Sequence, residues 1–335
     1  MDQVDISEVS LLNIKQRTSE LSQAIVRTPT VRAASSIIEN FLEGGELYLK
    51  LECFQHSGSF KARGALSVIR SILLDKQPAG ITAASAGNHA IAAAWAARKS
   101  GLSAKVVMQS TANPFRIALA QKERAEVIIK EPGQATFAEA ERLSRDEGRA
   151  FVHPFEGIHT TLGTAGVGFE LMQDVPELEA VIVSVGGGGL ISGVAAAIKL
   201  INPKCLIYGA EPTGADAMSQ SLKAGKPITL NNVETIADSL SPPMTLPFGH
   251  AVCSAYIDDM VTVTDDKICA GMVYFQQETK LAVEPAAGAS LAALTGPLRS
   301  RLRGKKVGIV VCGANIDAVT YSEQLRRGLS ALDKI

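Results

Sequence analysis

Apolar runs rich in Val and Ile alternate along the chain with stretches whose apolar positions recur at helical spacing. The runs predict strands at 47–51, 80–84, 104–108, 126–129, 151–153, 180–185, 206–210, 260–264 and 307–311. The periodic stretches predict helices at 10–25, 61–74, 90–100, 135–147, 193–200, 267–280 and 289–302. Near-continuous apolar strands separated by helices predict an α/β fold with parallel sheets covered on both faces. Ligands of such sheets bind at the carboxyl ends of strands, so the loops after the strands are the candidate sites.

Composition and charge limit the compartment and the partners. A chain of 335 residues can hold two domains. Its 33 basic and 34 acidic residues give a net charge of −1, which predicts no nucleic-acid partner. No apolar run approaches the roughly 20 residues that cross a bilayer, and the N-terminus lacks the pattern of a signal peptide. Five scattered cysteines without a C-x-x-C pair favour a reducing compartment, so we expect a cytoplasmic protein with no membrane partner.

Lys61 lies at the start of the helix predicted at 61–74, shortly after Ser57 and Ser59, either of which can cap that helix. The positive end of the helix dipole disfavours a protonated amine there, and burial beside Phe60 lowers the pKa of the amine further. A lysine with a lowered pKa is a nucleophile at neutral pH. A solvated surface lysine also explains this stretch when it is taken alone.

Four consecutive glycines, Gly186, Gly187, Gly188 and Gly189, follow a predicted strand and precede a helix that opens near 191–193. Backbone N–H groups of such a loop bind phosphate at a helix N-terminus. The spacing lacks the third glycine of a dinucleotide fingerprint and the Gly-Lys-Ser/Thr end of a P-loop. The loop therefore predicts a phosphate site for a ligand other than NAD or ATP, with a purely structural loop as the alternative.

A polar loop follows the strand predicted at 80–84 and consists of Ser85, Ala86, Gly87, Asn88 and His89. The glycine lets the backbone approach a ligand, and the polar side chains and helix-start amides offer hydrogen bonds to a carboxylate. An ordinary capped helix with a polar turn is the alternative for this loop alone.

Cys312 ends the last predicted strand, and Glu284 precedes a proline and small residues at a helix start. Each also has a structural explanation, because a free thiol is a small core group and a carboxylate interacts with a helix dipole. Together, an activated lysine, a phosphate loop and a carboxylate loop indicate pyridoxal 5′-phosphate. Its aldehyde reacts with a lysine, its phosphate suits glycine amides, and its amino-acid substrates bring the carboxylate.

The chain resembles the fold type II, tryptophan-synthase-β-like, pyridoxal-phosphate enzymes, and within them the serine/threonine dehydratase and serine racemase branch. The resemblance runs from about 25 to 315 and is carried by Ser59-Phe60-Lys61-Ala62-Arg63-Gly64-Ala65, Ser85-Ala86-Gly87-Asn88-His89, the four glycines, Glu284-Pro285 and Cys312-Gly313-Ala314-Asn315. It implies mostly parallel, twisted sheets flanked by helices. It also implies a large cofactor-binding domain (1–54 and 156–335), a small substrate-binding domain (55–155) and a homodimer.

The same resemblance implies a role for each motif. Lys61 would attach the cofactor and take the Cα proton of the substrate, and Asn88 would bond the 3′-oxygen of the cofactor ring. The Ser85–His89 loop would bind the substrate carboxylate. The remaining cofactor contacts would come from Phe60 beside the ring, Gly186, Gly187, Gly188, Gly189 and Leu190 at the phosphate, Glu284, and Cys312 opposite the ring nitrogen.

Two of these positions bear on the reaction. A neutral thiol at Cys312 leaves the ring nitrogen unprotonated, which favours expulsion of a β-hydroxyl group. Racemases of this family carry an acid/base serine where this chain has Ala86. We therefore expect dehydration and deamination of L-threonine or L-serine to a 2-oxo acid and ammonia. The alternatives are a serine racemase, a 3-hydroxyaspartate dehydratase, a lyase of another amino-acid derivative, and a non-catalytic sensor.

A cation site is the last implication of the resemblance. The family binds a divalent cation near a Glu-Pro-x-x-Ala-x-Asp motif, and this chain has Glu211 and Ala215 at the first two ligand positions. Ala217 stands at the third position and has no ligand atom in its side chain. The expected site would hold Mg²⁺ or a monovalent cation through the Glu211 carboxylate and the Ala215 carbonyl.

Overall fold

The computed structural model describes residues 4–332, which contain two mainly parallel sheets. The six-stranded sheet has the order β1-β2-β10-β7-β8-β9, and the four-stranded sheet has the order β5-β4-β3-β6. Among the described residues, β1 and β2 form the antiparallel pair at the edge of the larger sheet. The strands are β1 Thr30–Arg32, β2 Glu46–Lys50, β3 Ile81–Ala84, β4 Ala104–Gln109, β5 Glu126–Lys130, β6 Ala150–Phe151, β7 Ala180–Ser184, β8 Leu206–Pro212, β9 Asp259–Val263 and β10 Lys306–Val310.

Helices cover the sheets. They are α1 Leu11–Leu21, α2 Ser36–Leu42, α3 Lys61–Asp75, α4 Asn88–Lys99, α5 Pro114–Lys122, α6 Gln134–Glu147, α7 Ile158–Asp174, α8 Gly189–Ile201, α9 Ala217–Ala224, α10 Pro247–Tyr256, α11 Asp265–Tyr274, α12 Pro285–Thr295 and α13 Ala318–Leu332. Helix α7 packs against both α3 and α8 and so joins the elements that carry the lysine and the glycine loop. None of the helices in residues 4–332 is long and apolar enough to cross a membrane.

The predicted α/β fold is confirmed, and the reason lies in burial. All residues of β7 are buried, and so are all but the first of β10, which explains their continuous apolar sequence. A large hydrophobic core underlies the six-stranded sheet, and a second core lies around β3, β4 and α4. The strands of the four-stranded sheet fall within the predicted small domain and those of the larger sheet outside it, while the domain boundaries themselves stay a prediction.

Helix starts differ from the sequence prediction in ways that matter for the site. Helix α4 begins at Asn88 and α8 begins at Gly189, both earlier than the pattern indicated. The predicted cap of α3 is wrong, because Phe60 occupies the cap position and no side-chain cap bond forms there in the part of the chain that the structure describes. Ser57 instead adopts a left-handed backbone conformation with φ of 62°.

Candidate active site

Lys61 is the first residue of α3, and its amine points across to the segment that follows β6. The Nζ atom donates a hydrogen bond of 2.6 Å to the Pro154 carbonyl and lies 5.1 Å from the centroid of the Phe60 ring. Desolvation lowers the pKa of Lys61 to about 8, although the nearby Cys312 and Glu284 raise it. The amine is therefore much easier to deprotonate than an ordinary lysine.

Phe155 connects this lysine to the glycine loop, because it is the neighbour of the hydrogen-bonded Pro154. A side chain at Gly187 would collide with the Phe155 ring, and a Cβ at Gly189 would lie 2.8 Å from the Phe155 carbonyl oxygen. Gly188 adopts φ of 89°, which favours glycine. Gly187 and Gly189 thus lie against the segment that holds the lysine amine.

The start of α8 is open to an anion. Within residues 4–332, no side chain caps this helix, whose first residue is Gly189 and whose second is Leu190. The first N–H groups of a helix have no intrahelical partner, and they carry the positive end of its dipole. The predicted phosphate site therefore has unused donors where the prediction placed it.

The predicted carboxylate loop leads from β3 into α4. The Gly87 N–H donates 3.2 Å to the Ser85 hydroxyl, which closes a local turn. The His89 ring is buried and hydrogen-bonds through Nε2 to the Val152 carbonyl at 2.8 Å. Burial, followed by the charge on Lys61, lowers the pKa of His89 to about 3, so its ring is neutral. The ring faces the interior, and only the His89 backbone is left for a ligand.

Asn88 and Glu284 meet in a buried polar cluster that joins the two sheets. Asn88 Nδ2 donates 2.6 Å to Glu284 Oε1 and makes a longer contact of 3.4 Å with Ser239 Oγ. Asn315 completes the cluster, since its Nδ2 donates 2.7 Å to Asn88 Oδ1 and its backbone N–H donates 3.1 Å to Glu284 Oε2. The long Ser239 contact is the one that a ring oxygen could replace.

Lys61, His89 and Phe60 also border one small cavity of about 10 Å³, together with His153 and Thr160. Burial and then the Lys61 charge lower the pKa of His153 to about 4. The site consequently combines a low-pKa amine, an uncapped glycine-rich helix start and a loop suited to a carboxylate.

Comparison with known proteins identifies this combination. A family model described as "Pyridoxal-phosphate dependent enzyme" matches residues 21–313. The chain belongs to this family. Pyridoxal phosphate as the cofactor and the family resemblance are thereby confirmed. The buried lysine amine and the open glycine-rich helix start are the features that suit the aldehyde and the phosphate of this group.

Three relatives of this pyridoxal-phosphate enzyme cover most of its length. It is 46% identical to the phenylserine dehydratase of Ralstonia pickettii over 285 residues, which are 85% of this chain and 87% of the relative. It is 34% identical to the L-threonine ammonia-lyase of Thermotoga maritima over 96% of this chain and 79% of that one. The solved structure of maize serine racemase matches with a TM-score of 0.87 and 33% identity, covering 95% of this chain and 98% of its own.

Cys312 follows β10 in the pyridoxal-phosphate enzyme and is almost fully buried. Its carbonyl accepts a 3.0 Å hydrogen bond from the Phe60 N–H, so the thiol lies beside the start of α3. Burial, reinforced by the Glu284 charge, raises the pKa of the Cys312 thiol well above its usual value. The thiol is neutral, as the predicted role opposite a ring nitrogen requires.

Of the two predicted cation ligands, Glu211 has hydrogen-bond partners within the protein. Glu211 is buried, and its Oε1 accepts from the Met218 N–H at 2.8 Å while Oε2 accepts from the Ser219 N–H at 2.9 Å and the Ser219 hydroxyl at 2.6 Å. The Glu211 carboxylate thus caps the start of α9. No group of three or more His, Cys, Asp or Glu side chains placed to hold a metal ion occurs among the described residues. The expected site, with one carboxylate and one backbone carbonyl, stays a prediction.

Several residues of the site escaped the sequence prediction. Pro154 and Phe155 lie just beyond a short predicted strand and carry no recognisable motif. Arg116 lies in α5, a helix that the apolar pattern did not indicate. Asp238 begins a short 3₁₀ helix, in the Ala237-Asp238-Ser239 segment that the family resemblance puts near the cofactor or substrate. Asn315 belongs to the Cys312-Gly313-Ala314-Asn315 motif of the sequence, whereas its pairing with Asn88 is visible only in the structure.

Proposed function

We propose that this enzyme is a lyase that dehydrates and deaminates a β-hydroxy amino acid. The net reaction converts the amino acid into a 2-oxo acid and ammonia, since the water lost in elimination is taken up again on hydrolysis. When bound, pyridoxal phosphate supplies the electron sink that makes the Cα proton of the substrate acidic. The chain's own residues must then bind the carboxylate and remove that proton.

Lys61 is the proposed base at Cα, because its amine is desolvated and its pKa lies near 8. The backbone N–H groups of Asn88 and His89 are the proposed carboxylate donors at the start of α4. The amides of Gly189 and Leu190 are the proposed phosphate donors at the start of α8. The Pro154 carbonyl orients the lysine amine through its 2.6 Å hydrogen bond.

Ala86 is the residue that favours elimination over racemisation. Inversion at Cα needs a proton donor on the face opposite the lysine, and the methyl group of Ala86 cannot supply one. A serine racemase is therefore the second candidate, favoured by the likeness to maize serine racemase and opposed by this residue. A 3-hydroxyaspartate dehydratase and a lyase of another amino-acid derivative remain further candidates.

For the substrate, we propose a neutral β-hydroxy amino acid. The relative with 46% identity is named for phenylserine, and one with 34% identity is named for L-threonine. We therefore place L-threo-3-phenylserine beside L-threonine and L-serine in the first panel. Release of the corresponding 2-oxo acid distinguishes the three, and inversion of L-serine without 2-oxo acid would contradict the proposal.

The cofactor attachment is tested by spectroscopy. Purified protein incubated with pyridoxal phosphate should show an absorption band at about 410–430 nm, the range of lysine-bound cofactor. The band should vanish in Lys61→Ala and persist in Lys99→Ala, a matched change at an exposed lysine of α4. Wild type without the band would contradict the assignment of Lys61.

We propose further that the chain forms two domains with the boundaries given above and a homodimer in the cytoplasm. The two sheets and their separate cores support the division. Light scattering of the holoenzyme should give twice the chain mass of 35.3 kDa. A mass of one chain at micromolar concentration would contradict the dimer.

A further inference from the structure

Arg116 is a buried cation beside the carboxylate loop, and the proposed reaction leaves it without a role. Its side chain belongs to α5 in the four-stranded part of the chain and is 5% exposed. A Cβ built on Gly87 would lie 2.9 Å from Arg116 Nη1. The guanidinium therefore packs directly on the glycine of the Ser85–His89 loop.

The partners of this guanidinium all come from the six-stranded part. Nε donates 2.9 Å to the Asn315 carbonyl, Nη1 pairs with Asp238, and Nη2 lies 3.6 Å from Glu284 Oε2. Asn315 and Glu284 are the residues that also hold Asn88. One side chain thus contacts the loop on one side and the cluster behind the loop on the other.

A second bond strengthens the same junction. Asn113, which caps α5, donates 2.7 Å from Nδ2 to Asp317 Oδ2, just before α13. The start of α5 is thereby tied twice to the segment that follows β10. These ties lie at the point where a carboxylate would reach the loop amides.

The two carboxylates that contact Arg116 differ in exposure. The Glu284 side chain is 1% exposed, whereas the Asp238 side chain is 52% exposed. Exposed ion pairs contribute little and open readily, while a buried charge needs its partner. The ion pair between Arg116 and Asp238 can therefore open to admit a ligand, while the contacts of Arg116 with Asn315 and Glu284 keep the loop in its closed position.

We infer that Arg116 is a positioning residue for the substrate carboxylate site, which holds the Ser85–His89 loop closed against Asn315 and Glu284. The inference rests on the proposed function for the identity of the substrate. Since Arg116 acts through the loop rather than on the reacting atoms, its loss should weaken binding far more than turnover. We expect Arg116→Gln to raise KM about tenfold while kcat changes less than about threefold.

The test compares five holoenzyme variants, Arg116→Gln among them, with wild type on the β-hydroxy amino acid that is turned over. Arg116→Lys keeps the charge and should recover part of the KM loss. Asp238→Asn should raise KM by about threefold, and the Arg116→Gln/Asp238→Asn double variant should be no worse than Arg116→Gln, because the two residues form one contact. Arg142→Gln is the matched control, since the exposed Arg142 side chain pairs with Glu139 and Asp146 on its own helix.

A second readout separates this inference from the proposed function. Trp95 is the single tryptophan of the chain and lies in α4, which begins within the carboxylate loop. Titration with glycine, which has no β-leaving group, should change the Trp95 fluorescence, with a midpoint about tenfold higher in Arg116→Gln. If no β-hydroxy amino acid is turned over, the proposed function fails and this titration alone decides the role of Arg116.

The inference is overturned by an unchanged KM and glycine midpoint in Arg116→Gln, or by an equal rise in Arg142→Gln. A fall in kcat at constant KM would also overturn it, because that pattern belongs to a group acting on the transition state. Should Arg116→Gln fail to fold, Asp238→Asn decides, with an unchanged KM counting against the inference.

Discussion

Arg63 should be a main anchor of α3, the helix that presents Lys61. Its guanidinium is fully buried and donates to two carboxylates, with 2.8 Å from Nε and Nη2 to Glu52 and 2.8 and 2.9 Å from Nη1 and Nη2 to Glu170. The Lys50 side chain is also fully buried, and its Nζ atom lies 2.8 Å from Glu170 Oε2. Two cations and two carboxylates therefore form a neutral network between α3, α7 and the end of β2.

The cost of breaking this network follows from its burial. Arg63→Met removes the charge with little change in volume and leaves Glu52 and Glu170 without their shared partner. Removing one member of a buried ion pair costs about 3–5 kcal/mol. With an unfolding entropy of about 2.1 cal/mol/K per residue, the 335 residues give about 0.7 kcal/mol/K. The midpoint of thermal unfolding should therefore fall by about 4–7 °C.

Circular dichroism at equal cofactor saturation measures this shift. Arg63→Lys keeps the charge but has fewer donors in a different geometry, so its midpoint should lie between those of wild type and Arg63→Met. Arg142→Met is the matched control, because the Arg142 side chain is exposed and pairs only within its own helix, and it should shift the midpoint by less than about 1 °C. Equal shifts in Arg63→Met and Arg142→Met would refute the reasoning.

Three further predictions concern the reacting groups. Desolvation lowers the pKa of Lys61 to about 8, so attachment of pyridoxal phosphate to the apoprotein should speed up as pH rises. The rate, measured by absorbance, should reach half its maximum near pH 8, and a midpoint near 10.5 would contradict this. Ala86→Ser should confer slow inversion of L-serine, measured by chiral chromatography. If the variant shows no inversion at all, Ala86 is not the residue that decides between elimination and racemisation. Cys312→Ser should keep kcat within about twofold, whereas Cys312→Asp should lower kcat about tenfold or more by introducing an anion. Equal kcat values in wild type and both variants would show that a neutral group at position 312 is not required.

Much of the fold was predictable because the strands at the centre of the fold, such as β3, β7, β8 and β10, are buried on both faces. Such strands leave continuous apolar runs, and β7 and β10 were found this way. Helix α7 was missed, since Gly163 and Gly168 interrupt its apolar period. Both glycines mark close helix contacts, as a Cβ at Gly163 would lie 2.7 Å from the Arg63 carbonyl and one at Gly168 would lie 2.7 Å from the Val194 carbonyl. A glycine that allows two helices to pack closely therefore looks, in the sequence, like a residue that ends a helix.

The site shows a similar division. Motifs that follow strands could be predicted, because chain order alone places them at the carboxyl ends of the sheets. Arg116 could not, since its contacts depend on how the four-stranded and six-stranded parts meet. That meeting is set by side-chain contacts between residues far apart in sequence, such as Asn315 with Asn88. The residues that hold the two parts together are consequently the ones that a pattern of single elements does not reveal.

The segment Pro154–Phe155 explains why the lysine and the glycine loop form one site. The Pro154 carbonyl holds the Lys61 amine, and Phe155 fills the space where side chains at Gly187 and Gly189 would stand. The separation between amine and phosphate donors is thus set by two adjacent residues rather than by flexible loops. Pyridoxal phosphate suits both groups, because it carries an aldehyde that reacts with an amine and a phosphate that accepts from backbone amides on one rigid ring.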